Sequence, residues 1–218
     1  MSYKAILIGA SGLIGSKLLE QLTQSDQISE VLVLVRKALD ISHPKIRQIL
    51  VNFDKLEIHS ADIQADIIFS CLGTTRTKTP DPLLYRKVDM DYPLMIAEFG
   101  LKNGASQFHI VSSLGANTAS SNSYLKLKGE LENRLEKLNY PSLHIYQPSY
   151  LRGERKERRI ADKIMMPLVR LIDPLLFGSL KKYRSIQAET VAKAMLNQSL
   201  KNLKGSFIYM SNQIQQIA

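Results

Sequence analysis

Lys4-Ala5-Ile6-Leu7-Ile8-Gly9-Ala10-Ser11-Gly12-Leu13-Ile14-Gly15 is the stretch that decides the fold. An apolar run of strand character ends in three glycines spaced G-x-x-G-x-x-G. An amphipathic run follows, with Leu13, Leu18, Leu19 and Leu22 at helical spacing. Strand, glycine turn and helix are the parts a dinucleotide pyrophosphate site requires. Gly9 permits the tight turn, Gly12 lets backbone N–H groups approach phosphate, and Gly15 lets helix and strand pack closely. A plain strand-turn-helix connection that uses glycine only for packing is the competing reading.

Working outward, strand-like runs recur at Ala5–Ile8, Val31–Val35, Ile49–Val51, Ile67–Ser70, Phe108–Val111, Leu143–Tyr146 and Phe207–Tyr209. Helical spacing fills Leu13–Gln24, Leu83–Lys102 and Tyr124–Leu138, and Ala188–Leu200 precedes the last strand. This alternation predicts an α/β fold, a single Rossmann-type domain with a doubly wound, mostly parallel sheet and helices on both faces. The stretch Asp54–Asp66 is too short and polar to predict a helix. No repeat, low-complexity tract or linker divides the chain. One domain over residues 1–218 is expected, with a small substrate or lid region from about 149.

Composition narrows the function classes. Hydrophobic residues make up 44% and charged residues 22%, which suits a soluble globular protein. No apolar run reaches the ~18–20 residues of a membrane span, so no membrane partner is expected. The chain enters its first strand at once, which leaves no room for a targeting peptide. The single cysteine, Cys71, excludes an internal disulfide and points to a reducing cytoplasm. One cysteine and four scattered histidines offer no metal-ligand spacing, so no metal is expected. Net charge is +9, and much of it is local: residues 152–184 hold ten Lys/Arg against four Asp/Glu. That segment reads as a solvated surface or as a patch attracting cofactor or substrate phosphates. Nucleic acid is the least favoured partner, because interleaved aromatics and a reading helix are missing.

Ligands bind such sheets at the carboxyl ends of the strands. After the second run comes Arg36-Lys37, with no acid to accept from a free ribose 2′-OH. A cation there suits a 2′-phosphate, so NADP(H) is expected in preference to NAD(H), and Ser11 can add a hydroxyl. Asp54, after the third run, is a candidate near the adenine amino group. After the fourth run, Cys71-Leu72-Gly73-Thr74-Thr75 offers small residues that let backbone pass close to a cofactor. After the fifth come Ser112-Ser113, and eleven residues on stands Tyr124-Leu125-Lys126-Leu127-Lys128. On a helix Tyr124 and Lys128 share a face. An ammonium beside a phenol favours the phenolate, which makes Tyr124 an acid/base candidate. Ser113, with Ser112 as runner-up, could hold the substrate oxygen.

Together these residues resemble the short-chain dehydrogenase/reductase superfamily over most of the chain. Cys71–Lys78, Val88-Asp89-Met90-Asp91-Tyr92, Val111–Ala116, Tyr124–Glu130 and Tyr183-Arg184-Ser185-Ile186 are similar to its atypical, Tat-interacting oxidoreductase-like group. The resemblance implies pyrophosphate binding at Ser11, Gly12, Leu13 and Ile14, and 2′-phosphate binding at Arg36 with Lys37. It implies Leu72 and Gly73 beside adenosine and ribose, and Tyr124 with Lys128 near the nicotinamide ribose. Pro148 and Leu151 match the loop that passes the nicotinamide, and Arg159 matches a position able to close over the cofactor. Where many superfamily members carry an asparagine, this chain reads Val88-Asp89-Met90-Asp91. About seventy residues follow Pro148, which leaves little material for a sugar-nucleotide lobe.

The expected activity is an NADPH-dependent reduction of a small carbonyl substrate. Tyr124 would protonate the developing alkoxide, Ser113 would orient its oxygen, and Lys128 would hold ribose and tune Tyr124. Two alternatives stand beside it: a cofactor-binding regulatory protein with a protein partner, and a nucleotide-sugar epimerase-like enzyme.

Overall fold

The computed structural model describes residues 2–153, 169 and 172–218. A seven-stranded sheet has the order β3-β2-β1-β4-β5-β6-β9, and every neighbouring pair is parallel. The strands are β1 Tyr3–Ile8, β2 Ile28–Val35, β3 Ile46–Leu50, β4 Ile67–Ser70, β5 Gln107–Val111, β6 Ser142–Gln147 and β9 Gly205–Met210. A two-stranded parallel ribbon pairs β7 Leu151–Arg152 with β8 Ile186–Gln187. The α-helices delimited among the described residues are α1 Leu13–Gln24, α2 Pro82–Arg86, α3 Tyr92–Lys102, α4 Ser123–Lys137, α5 Ala188–Ser199 and α6 Ser211–Ile217.

Period-two side-chain alternation divides the core between the two faces of the sheet. Ile6, Ile8, Leu32, Leu34 and Ile68 face Ile96 and Ala97 of α3 and Leu131 and Leu135 of α4. Leu7, Val31, Val33 and Phe69 face Leu18 and Leu22 of α1 and Val191 and Met195 of α5. This is the expected doubly wound arrangement. β2 and β4 flank β1 on opposite sides, so the strand order reverses at the carboxyl end of β1. A crevice opens at such a switch point, directly beyond Ile8 and Ser70.

Three expectations need correction. The third strand is Ile46–Leu50 rather than 49–51. It is an edge strand, half exposed, and so carries Arg47 and Gln48 where an apolar run was sought. The connection from Asp54 onward is helical after all, a 3₁₀ segment Phe53–Asp62 opened by Asn52, whose side chain accepts from Asp54 N. The helix expected over 83–102 is interrupted by a π turn at Lys87–Asp91. Pro93 has no N–H to give the Asp89 carbonyl four residues back, so the ladder slips. Tyr92 N–H reaches Lys87 O instead, five residues back.

Candidate active site

The glycine turn forms one wall of the crevice. Gly9 has φ +80°, and a Cβ there would lie 2.5 Å from the Cys71 carbonyl. A Cβ on Gly15 would lie 2.1 Å from Gly9 O, so this glycine sets the closeness of α1 to β1. Gly12 is the N-cap of α1 and has no side chain to occupy the helix start. The first intrahelical bond is Ser16 N to Gly12 O at 3.0 Å, which leaves the N–H groups of Leu13, Ile14 and Gly15 ahead of it. No acidic residue stands in that turn. The geometry fits a pyrophosphate: donors aimed outward, a positive helix end, and backbone where a side chain would intrude.

From this wall a cleft of about 590 Å³ runs along the strand ends. The sequence candidates Ser11, Gly12, Leu13, Ile14, Leu72, Gly73, Tyr124, Lys128 and Leu151 line it, together with Ser112, Asp89 and Thr74. Asn122 caps α4 through Tyr124 N at 2.9 Å and Leu125 N at 3.3 Å, which fixes the register that turns Tyr124 and Lys128 to the cleft. Cys71 also lines it, but burial pushes its thiol up to about 12, so it is no nucleophile at neutral pH.

Other sequence candidates stand elsewhere. Arg36 and Lys37 are exposed at the end of β2, and the cleft wall on that side is Leu39, Asp40 and Ile41. Gln48 braces that loop, accepting from Leu39 N at 2.8 Å and donating to Leu39 O at 3.0 Å. Asp54 is not in the cleft wall. Its carboxylate accepts from Lys87 Nζ at 2.7 Å and Tyr92 Oη at 2.8 Å, and the Lys87 bond chiefly holds it below the usual range. Asp54 therefore ties the 3₁₀ segment to the π turn rather than presenting a free acceptor to an adenine. Pro148 is buried behind the cleft, and its carbonyl accepts from Leu114 N at 3.0 Å, joining the serine loop to the turn after β6. Arg159 lies outside the described residues.

Two buried acids complete the site, and the sequence reading assigned neither a role. Lys128 Nζ sits 3.0 Å from Asp89 Oδ1, with both side chains almost wholly enclosed. Asp89 Oδ2 also accepts from Thr74 N at 2.8 Å. The lysine expected to act on Tyr124 thus has a carboxylate of its own, carried on the buried face of the π turn. Glu132, one turn beyond Lys128, accepts from Ser112 Oγ and from Gln147 Nε2 at 3.1 and 2.9 Å. Burial raises the Glu132 carboxyl, and the Ser112 and Gln147 hydrogen bonds oppose that. The Ser112 hydroxyl, which lines the cleft, is committed to Glu132, whereas Ser113, two residues past β5, is half-buried and is not among the residues lining the cleft. The i, i+4 run Tyr124, Lys128, Glu132 was the available signal for the second acid.

Comparison with known proteins agrees with this geometry. The model of the NAD dependent epimerase/dehydratase family matches residues 5–215. Protein HTATIP2 of Rattus norvegicus is 33% identical over 221 residues, covering 97% of this chain and 88% of its own length. That likeness bears out the Tat-interacting group as the resemblance. Protein FMP52, mitochondrial, of Candida albicans is 33% identical over 156 residues, covering 69% of this chain and 68% of its own. Among solved structures, the Bordetella bronchiseptica enzyme WbmH in complex with NAD⁺ superposes with a TM-score of 0.73 at 15% identity, covering 99% of this chain and 79% of that one. The UDP-glucose 4-epimerase of Thermotoga maritima gives 0.68 at 16%, covering 98% and 80%. The expectation of a cytoplasmic protein is overturned here, since the FMP52 relatives of Candida albicans, Coccidioides immitis and Eremothecium gossypii are named mitochondrial. A lone cysteine reports on thiol redox and not on compartment, which is where that expectation went astray.

Proposed function

The chain belongs to the NAD dependent epimerase/dehydratase family, and from that premise we propose that it is an NADPH-dependent reductase of a small carbonyl compound. One observation carries the reading. Tyr124 and Lys128 line the same cleft as the glycine turn, so an acid/base group and a dinucleotide cradle share one cavity. A pure cofactor sensor would have no use for the phenol.

The N–H groups of Leu13 and Ile14, with the Ser11 hydroxyl, hold the pyrophosphate, and Leu72 with Gly73 admits the adenosine side. Arg36 and Lys37 take the 2′-phosphate at the end of β2. The nicotinamide, when bound, supplies a hydride to the carbonyl carbon. Lys128 donates to the ribose, and Leu151 excludes water beside the ring. Tyr124 Oη gives its proton to the substrate oxygen as negative charge develops there. Ser113 Oγ donates a hydrogen bond to that same oxygen, and Ser112 positions the strand end through Glu132.

NADPH oxidation followed over a panel of aldehydes, ketones and UDP-sugars tests the reading. A carbonyl substrate is expected to turn over, and Tyr124→Phe is expected to lower the rate by roughly 10²–10⁴ while leaving NADPH affinity within a few-fold. Full activity in Tyr124→Phe would remove it as the proton donor. Turnover of UDP-sugars alone would favour the epimerase-like reading. Tight NADPH binding with no turnover over the whole panel would favour a regulatory protein.

A further inference from the structure

The π turn at Lys87–Asp91 has a consequence for the cofactor site. In a helix that ran on without slipping, Asp89 would keep its carbonyl bonded to residue 93. Pro93 forbids that bond, and Asp89 lies within the resulting turn, on the buried face it shares with Tyr85 and Pro93. There the side chain is 1% exposed as a residue, against 3% for Lys128. Its two oxygens serve different elements. Oδ1 meets Lys128 Nζ on α4, and Oδ2 takes the N–H of Thr74 from the loop after β4. A Cβ on Gly73 would come within 3.4 Å of Oδ1, so the loop lies close over the pair.

We propose that Asp89 is a positioning residue that acts through Lys128. It clamps the ammonium to the floor of the cleft, in register with the Gly73-Thr74 backbone, before any cofactor arrives. This rests on the reading of Lys128 as the lysine that holds the dinucleotide. An enclosed lysine without a counter-charge would withdraw toward solvent or lose its charge, and a long flexible side chain would have to be ordered at each binding event. With the carboxylate in place, the ammonium keeps one direction free for the ribose and brings no uncompensated charge into the cavity.

A double-mutant cycle on NADPH affinity, read by ligand fluorescence on the full chain, tests this. Asp89→Asn keeps size and an acceptor for Thr74 N but loses the charge. It is expected to weaken NADPH at least tenfold in the wild-type background and less than twofold in a Lys128→Met background. Equal weakening in both backgrounds, or none in the first, overturns the proposal, because Asp89 would then act on the loop alone or not at all. Should Asp89→Asn fail to fold, the pair Asp89→Leu with Lys128→Met removes both charges together. It is expected to bind NADPH as Lys128→Met alone does, and weaker binding by the pair overturns the proposal. Asp89→Glu, which keeps the charge, is expected to recover part of the lost affinity. A wild-type protein that binds neither NADPH nor NADH refutes the cofactor reading itself, an outcome separate from an additive cycle.

Discussion

Arg36 stands at the end of β2 with its side chain exposed and no acid beside it in sequence. Its positive charge reaches the Tyr92 phenol, and Asp54 beside that phenol accepts from Lys87 and Tyr92. Asp54 is thus already engaged, while Arg36 remains available for a dianionic 2′-phosphate. NADPH is expected to bind at least about tenfold more tightly than NADH, or roughly 1.4 kcal/mol, the scale of one charge-assisted contact. Arg36→Asp is expected to erase or reverse that order in paired titrations, and equal affinities in the unaltered protein would defeat the assignment. Arg36 stands out in sequence only by its place at a strand end, and the structure keeps it at that end, outside the residues that line the cleft. Asp89 was not readable as a partner of Lys128, since the two are 39 residues apart and meet only through the packing of α4 against the turn that carries Asp89. The partners of Glu132 were hidden for a similar reason: Ser112 comes from the loop after β5 and Gln147 from β6.

At the scale of elements, the β1-turn-α1 unit carries both the fold and the cradle, and its glycines are not interchangeable. Gly15→Ala would drive a methyl to 2.1 Å from Gly9 O, and backbone on both sides leaves no flexible atom to yield. α1 would have to lift from β1, and the N–H groups of Leu13 and Ile14 would move with it. We expect a loss of about 2–4 kcal/mol in urea unfolding, with dinucleotide binding abolished at temperatures where the variant stays folded. Gly12→Ala meets Gly9 O at 3.1 Å and should be milder in stability. If Gly15→Ala unfolds like the wild type, close packing is not what that glycine provides. This unit was legible because strand, glycines and helix are all local in sequence. The boundaries Leu13–Gln24 and Ile67–Ser70 emerge in the structure as the periodicity sets them. The two-residue strands β7 and β8 and the closing helix α6 were not. Their pairing is long-range, Leu151 with Ile186, and a run of two residues has no period to detect.

Across the whole molecule, a file of rings runs through the sheet and links its stability to pH. Phe69 on β4 tilts 37° against His109 on β5, and His109, His144 on β6 and Phe207 on β9 stack in sequence, with the two imidazoles 4.3 Å apart and 3° from parallel. His109 bonds Tyr146 Oη and Gln107 Oε1, each at 3.1 Å. His144 bonds Ser142 Oγ at 2.9 Å and Tyr209 Oη at 3.1 Å. Burial holds His109 well below its ordinary value, with the charge of His144 adding to it, and lowers His144 to about 4. Both are therefore neutral in the folded state while the unfolded chain takes up protons near pH 6.5. Below that value the unfolded state binds more protons, so stability falls as the pH is lowered. Glu132 works in the opposite sense, since burial raises its folded carboxyl. Between pH 7.5 and 5.5 the two buried histidines contribute about 1.4 kcal/mol each. Urea unfolding is expected to lose about 2.7 kcal/mol over that range, and His144→Phe, which keeps a stacked ring, is expected to lose about half as much. An unfolding free energy that is flat from pH 7.5 to 5.5 would mean that the ring file accepts protons without opening the sheet.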